Sequence, residues 1–182
     1  IYCDLSGVIH DPNDGVKDLK DKKVKFIGDV NDRIKEDFLR IMRFFRFSLS
    51  VSGKFNKNDL AICNKNLIHL KKLSYERRIE ELQKILVHKK VEDVKIFSKL
   101  EPLLVNTLES KINFNNFDKL CKVETEIADL SFYRRLKFLL RADDGLTPLI
   151  KKKADKKLKK RLMNKIHIIK YSLKNLNHIL FH

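Results

Sequence analysis

Between residues 33 and 47 the apolar side chains return at the spacing of an α-helix. At about 100° per residue, Ile34, Phe38, Ile41, Met42 and Phe45 fall on one face, and Arg33, Glu36, Arg40 and Arg43 on the other, with Asp37 at its edge. An apolar stripe of that width has to be covered, so the chain needs further elements to pack against it. The composition favours more helices. Five Gly, three Pro and no Trp in 182 residues, with long charged or aliphatic side chains dominating, disfavour a sheet protein. A hydrophobic share of 43% is enough to bury a core. The expected fold is mainly α.

The first 28 residues read differently. Residues 1–5 and 8–10 are β-prone and split by Ser6-Gly7, a hairpin signal. Residues 11–15 are dense turn chemistry, and residues 23–27 alternate polar and apolar as a half-buried strand does. Three short strands make a poor core alone, so this part reads as the edge of a small sheet. From Asp29 the period turns helical. Asn31 or Asp32 caps a helix expected to run to about Ser48, and Gly53 ends that region. Further helices are expected over residues 57–73, 74–87 and 91–100, with Glu101-Pro102 breaking the run. Helical stretches over 117–142 and 158–181 flank an Asp143-Asp144-Gly145 turn and Pro148. The expected division is a sheet remnant and joint over 1–28, a helical neck over 29–100, and a basic helical body and tail over 101–182.

Forty Lys and Arg against 24 Asp and Glu leave a net charge of +16 and a pI near 9.8, a field that draws in polyanions. Nucleic acid is the first partner this implies. A membrane is the rival polyanion, but no apolar run is long enough to span a bilayer and no signal peptide opens the chain, so a cytoplasmic protein is expected. Cys3, Cys63 and Cys121 lie far apart without a CxxC pair, which points to buried free thiols rather than disulfides or zinc. His69, His88, His167 and His178 lack partners at useful spacing and read as structural or solvent-facing, and the Phe44, Phe45 and Phe47 cluster reads as packing. Residue 1 is Ile, which suggests a piece of a longer chain.

The polar face of the 33–47 segment carries the chemistry. At its plainest, Glu36 and Arg40 form an i,i+4 pair on a solvated helix, worth about 0.2–0.5 kcal/mol. The sharper reading uses hydrogen-bond types. Cytosine and adenine each present an exocyclic amine donor beside a ring-nitrogen acceptor, so a carboxylate and a guanidinium side by side complement both edges. Uracil and guanine reverse that order. An Asp37/Arg40 pair therefore suits C or A and leaves unpaired groups against U or G.

The stretches DPNDGVKDL (residues 11–19), KVKFIGD (23–29) and DRIKEDFLRIMRFFRF (32–47) resemble, in order and spacing, consecutive motifs of class II tRNA nucleotidyltransferases, the CCA-adding enzymes, and of the related bacterial poly(A) polymerases. SYERRIEEL (74–82) is similar to a further, less specific motif. The resemblance covers roughly residues 1–86. It implies that Glu36, Asp37 and Arg40 are the EDxxR element that selects incoming CTP and ATP, and that Asp11, Gly15 and Asp18 belong to a hinge joining head to neck. Asn13-Asp14 departs from the family's usual pair there.

The family's GxDxD metal-binding strand and RRD motif do not occur in this sequence, so no catalytic residue and no metal ligand is assigned. Mg²⁺ is expected only in a complete enzyme, and catalysis only with a complementary N-terminal fragment. The resemblance also implies that the C-terminal helices hold tRNA. Residues 151–165 carry nine Lys/Arg against Asp155 alone, and Lys151, Lys152, Lys153, Lys156, Lys157, Lys159, Lys160 and Arg161 are the expected phosphate-tracking surface. Tyr133, Arg134 and Arg135 are weaker candidates on a helix whose Phe132, Leu136 and Leu140 read as core. A nonenzymatic RNA-binding module and a piece of a poly(A) polymerase are the alternatives.

Overall fold

A computed structural model describes residues 1–140, so the basic run at 151–161, His167, His178 and the elements expected beyond residue 140 lie outside the described residues. The chain divides into two units, the first comprising Ile1–Thr107 and the second beginning at Leu108. Both are helical where described, and the only sheet among the described residues is one small hairpin, in keeping with the mainly α expectation.

That hairpin pairs β1 (Tyr2–Cys3) antiparallel with β2 (Ile9–His10). Asp4 organises its turn by accepting from the backbone N–H groups of Ser6 (3.0 Å) and Val8 (2.9 Å), from Ser6 Oγ and from the His10 ring. These bonds hold its carboxyl down at about 2. The third strand, expected over residues 23–27, does not form. Val24 and Phe26 are half-buried and their neighbours exposed, so the alternation is real, but among the described residues no strand lies alongside to complete a ladder. The Phe26 N–H instead donates to Asp59 Oδ2 at 3.3 Å, and its ring stacks on Phe44.

The helices of the first unit are α1 (Gly15–Lys20), α2 (Val30–Glu36), α3 (Leu39–Val51), α4 (Lys57–Asn66), α5 (Tyr75–Leu86) and α6 (Val94–Leu108, one residue past the boundary), with 3-10 turns at Leu67–Lys72 and Lys89–Glu92. Asp29, two residues earlier than expected, caps α2 by accepting from the Asp32 N–H. α3 packs against α5, and α2 against α4. Ile34, Ile41, Met42, Phe45 and Leu49 are fully buried there with Leu70, Leu82 and Ile85.

Two expectations change. The single helix over 32–48 is two helices, broken at Asp37. The break expected at Glu101-Pro102 is absent, because Pro102 sits inside α6. An interior proline costs about 3 kcal/mol. Leu100, Leu103, Leu104 and Leu108 are all fully buried around it, at about 1.5–3 kcal/mol each, which outweighs that cost.

In the second unit the stretch from Phe117 divides into α7 (Phe117–Glu126) and α8 (Phe132–Leu140), which pack together. Ala128, with a φ of +53°, turns the chain between them. Glu124 and Arg135 are both 1% exposed and joined at 2.6 Å, and Arg134 Nε lies 2.8 Å from the other Glu124 oxygen. Arg135 is therefore core. Of the cysteines, Cys63 and Cys121 are buried thiols outside any disulfide, whereas Cys3 is exposed, contrary to expectation, because among the described residues nothing covers the short hairpin.

Candidate functional site

The break between α2 and α3 shapes the site. Asp37 leaves the helical region at φ −156°, ψ 108°, and α3 restarts from Phe38. The departure gives Asp37 a capping role, since its Oδ1 accepts from the Leu39 N–H at 3.0 Å. Oδ2 receives Arg77 Nη2 from α5 at 2.8 Å. Burial pushes the Asp37 carboxyl up, but the Leu39 amide, the Arg77 guanidinium and the nearby Arg43 charge outweigh it and hold the group below its ordinary value. It is a carboxylate at neutral pH, held from two sides.

Arg40 is held by Glu36 instead. Its Nη1 lies 2.6 Å from Glu36 Oε2 and also donates to the Arg33 carbonyl at 3.2 Å. Arg33 Nη1 approaches the same carboxylate at 3.1 Å, while its Nε donates to the Ile27 carbonyl. Burial raises Glu36, and its bonds to Arg33 and Arg40 more than offset that, so it too stays charged. The plain i,i+4 pair is thus present, and Asp37 and Arg40 are each bonded to another partner rather than to one another. Their side chains are 25% and 35% exposed, so both remain reachable at the surface. Each Asp37 oxygen has one protein donor and retains a lone pair, and Arg40 retains N–H groups beyond Nη1.

Arg77 was missed as a site residue in reading the sequence. It stands in the SYERRIEEL stretch, forty residues from Asp37, and nothing in the local pattern sets that register. The stretch begins as its Ser74 suggests, with Ser74 Oγ accepting from the Arg77 N–H, and so presents the Arg77 side chain at the N-terminal end of α5. The neighbouring Arg78 is buried and donates to the Thr107 carbonyl. Phe38 packs on His69 at 4.9 Å, with Lys72 over its ring, so His69 is a packing residue. His88 has the local structural role expected of it, its Nδ1 accepting from the Lys90 N–H.

Of the expected hinge residues, Asp11 and Gly15 close one turn, and Asp18 follows in α1. Asp11 accepts from the Gly15 and Val16 N–H groups at 2.7 Å each, so it, and not Asp14, caps α1. The Val16 bond is the main reason its carboxyl is held below the usual range. Asp18 pairs with Lys25 at 2.8 Å, tying α1 to the segment that leads into α2. A Cβ on Gly15 would lie 2.7 Å from Ile1 Cγ1 and 3.1 Å from Asp11 Oδ1, so a larger residue there would displace the exposed Ile1 side chain. Asp4, Asp11 and Asp18 are all engaged in these local bonds. Among the described residues no group of three His, Cys, Asp or Glu is placed to hold a metal ion. The described residues therefore do not form a Mg²⁺ site.

No protein-family model matches the chain. Among curated proteins it is 34% identical over 126 residues to the human protein named CCA tRNA nucleotidyltransferase 1, mitochondrial, a match covering 67% of this chain and 29% of that one. It is 39% identical over 90 residues to the zebrafish protein of the same name, covering 48% and 21%. The CCA-adding enzyme of Lactococcus lactis strain IL1403 is 40% identical over 86 residues, covering 47% and 21%. The chain spans less than a third of the length of these relatives.

Proposed function

The chain belongs to the family of CCA-adding tRNA nucleotidyltransferases, and we propose that it supplies that activity with nucleotide selection and a hold on tRNA, while the metal-dependent chemistry comes from a segment bearing GxDxD and RRD. In this reading Asp37 accepts from the exocyclic amine of CTP or ATP, and Arg40 donates to the adjacent ring nitrogen. The observation that carries it is the pairing pattern: Arg77 and the Leu39 amide fix the carboxylate while Glu36 fixes the guanidinium, both at an accessible rim. Such preorganisation lets the protein discriminate bases without a nucleic-acid template. Asp11, Gly15 and Asp18 act as the joint between this part and the catalytic head.

The substrates proposed are CTP, ATP and tRNA, with Mg²⁺ held only by the complementary segment. The basic residues 151–161 supply phosphate contacts. The compartment proposed is the cytoplasm; among the described residues no helix is long and apolar enough to cross a membrane.

The test is to mix the chain with a polypeptide carrying the two missing motifs and assay addition to tRNA lacking its 3′ terminus. CMP and AMP incorporation that disappears with Asp37→Ala is expected. Tight tRNA binding with no incorporation in any mixture would instead identify a nonenzymatic RNA-binding module, and AMP incorporation alone, in long runs, a poly(A) polymerase.

A further inference from the structure

α3 carries a second accessible feature beside the nucleotide-selecting residues. Phe44 and Phe45 are buried, but Phe47 is 46% exposed. The Arg46 guanidinium lies over the Phe47 ring, 4.4 Å from its centroid, and its Nε is anchored 2.8 Å from the buried carboxylate of Glu81. One face of the ring is thus backed by an immobilised cation, which leaves the opposite face for a stacking partner. Arg43, four residues before Phe47 and on the same stripe, is exposed and among the described residues makes no hydrogen bond or ion pair. Arg40 continues the stripe one turn earlier.

An open aromatic face beside an unpaired guanidinium suits a single strand of nucleic acid, where the base stacks and the arginine takes a phosphate. The spacing agrees. Arg40 and Phe47 are seven residues apart on the helix, about 10 Å of rise, or roughly three bases of a stacked strand at about 3.4 Å each. A nucleotide held at Asp37 and Arg40 and a base lying on Phe47 therefore fit one continuous strand end.

We propose that Arg43 and Phe47 form a landing site for the unpaired 3′ end of the acceptor RNA, with a base on the free face of Phe47 and the adjoining phosphate on Arg43. This rests on the nucleotide-selecting reading of Asp37 and Arg40. The net charge of +16 suits either polyanion, and the open face of Phe47, which a base can stack on, favours RNA over an acidic peptide.

The test compares the full chain binding a labelled hairpin RNA with a four-nucleotide single-stranded 3′ tail and the same hairpin made blunt. The wild type is expected to prefer the tailed hairpin by roughly tenfold, the scale of one base stacked on an aromatic ring. Phe47→Leu removes that preference without changing affinity for the blunt hairpin, and Phe47→Tyr restores it. Arg43→Gln lowers the slope of log affinity against log salt by about 0.7 on the tailed hairpin only. Both side chains are on the surface, so unchanged thermal melts are expected for all three variants. Equal binding of tailed and blunt hairpins, or a Phe47→Leu variant that matches the wild type, overturns the proposal. A preference for CTP over UTP, measured on the same preparations, separates the two claims: if it persists, the reading of Asp37 and Arg40 stands while the landing site falls.

Discussion

Asp37 stands at a point where backbone and side chain serve one end. Its extended φ and ψ stop α2, its Oδ1 starts α3, and its Oδ2 is claimed by Arg77 from another helix. Because the folded pKa is depressed, the group contributes stability that is present above its unfolded value of about 3.9 and is lost as pH falls through the folded value. Arg77→Met removes one of the two opposing bonds, so its Asp37 should titrate higher by NMR. Its stability should fall by no more than about 1 kcal/mol at pH 7, since Arg77 is nearly half exposed, and the gap should close toward pH 2.

Asp59 behaves in the opposite sense. Burial raises its carboxyl above the ordinary value, against the weaker effect of the Phe26 amide, so the charged form costs stability in full above that folded pKa, and the cost fades as pH falls toward the unfolded value of about 3.9 and is gone below it. Asp59→Asn keeps an acceptor for Phe26. It should therefore be more stable than the wild type at pH 7 and no more stable at pH 3, as read by denaturant midpoints. At this scale the apolar stripe was legible, because Ile34, Ile41, Met42 and Phe45 are buried as their spacing requires. The Asp37–Arg77 contact was not, because the partners are brought together only by the packing of α3 on α5.

Elements were legible where local chemistry and packing agree. Ser74 starts α5, and the hairpin forms around Ser6-Gly7. They were misread where packing overrides local preference, as at Pro102, or where a side chain interrupts a sound periodicity, as at Asp37. The alternation at residues 23–27 correctly reports a half-buried segment, which among the described residues has no partner strand. Gly53 was read correctly as the end of its region, for a physical reason. Its φ of +73° is the left-handed conformation that favours glycine where the chain turns after α3, and a Cβ there would displace the end of the Ile96 side chain. Gly53→Ala should lower stability by about 1–2 kcal/mol from the left-handed conformation. Chemical denaturation of the full chain measures this.

Across the whole molecule, two units divide the labour proposed for them. The first holds the residues proposed to select the nucleotide on packed helices, and the second contains a buried ion pair whose loss would leave a buried charge without its carboxylate. Glu124→Ala should destabilise by about 3–5 kcal/mol, because Arg135 is left buried without its carboxylate. Neither that pair nor its burial was foreseen, since Arg135 sits in a basic stretch that reads as surface. The charge of +16 remains the clearest global sign of a polyanionic partner.

The central claim is that Asp37 and Arg40 let this chain tell C and A from U and G. Equilibrium binding of CTP, ATP, UTP and GTP to the full chain, repeated with an Asp37→Ala/Arg40→Ala double variant, tests it most directly. CTP and ATP should bind at least about tenfold more tightly than UTP and GTP, a difference of about 1.4 kcal/mol, and the double variant should bind all four alike. Equal affinities in the wild type, or a preference that survives the double substitution, would contradict it.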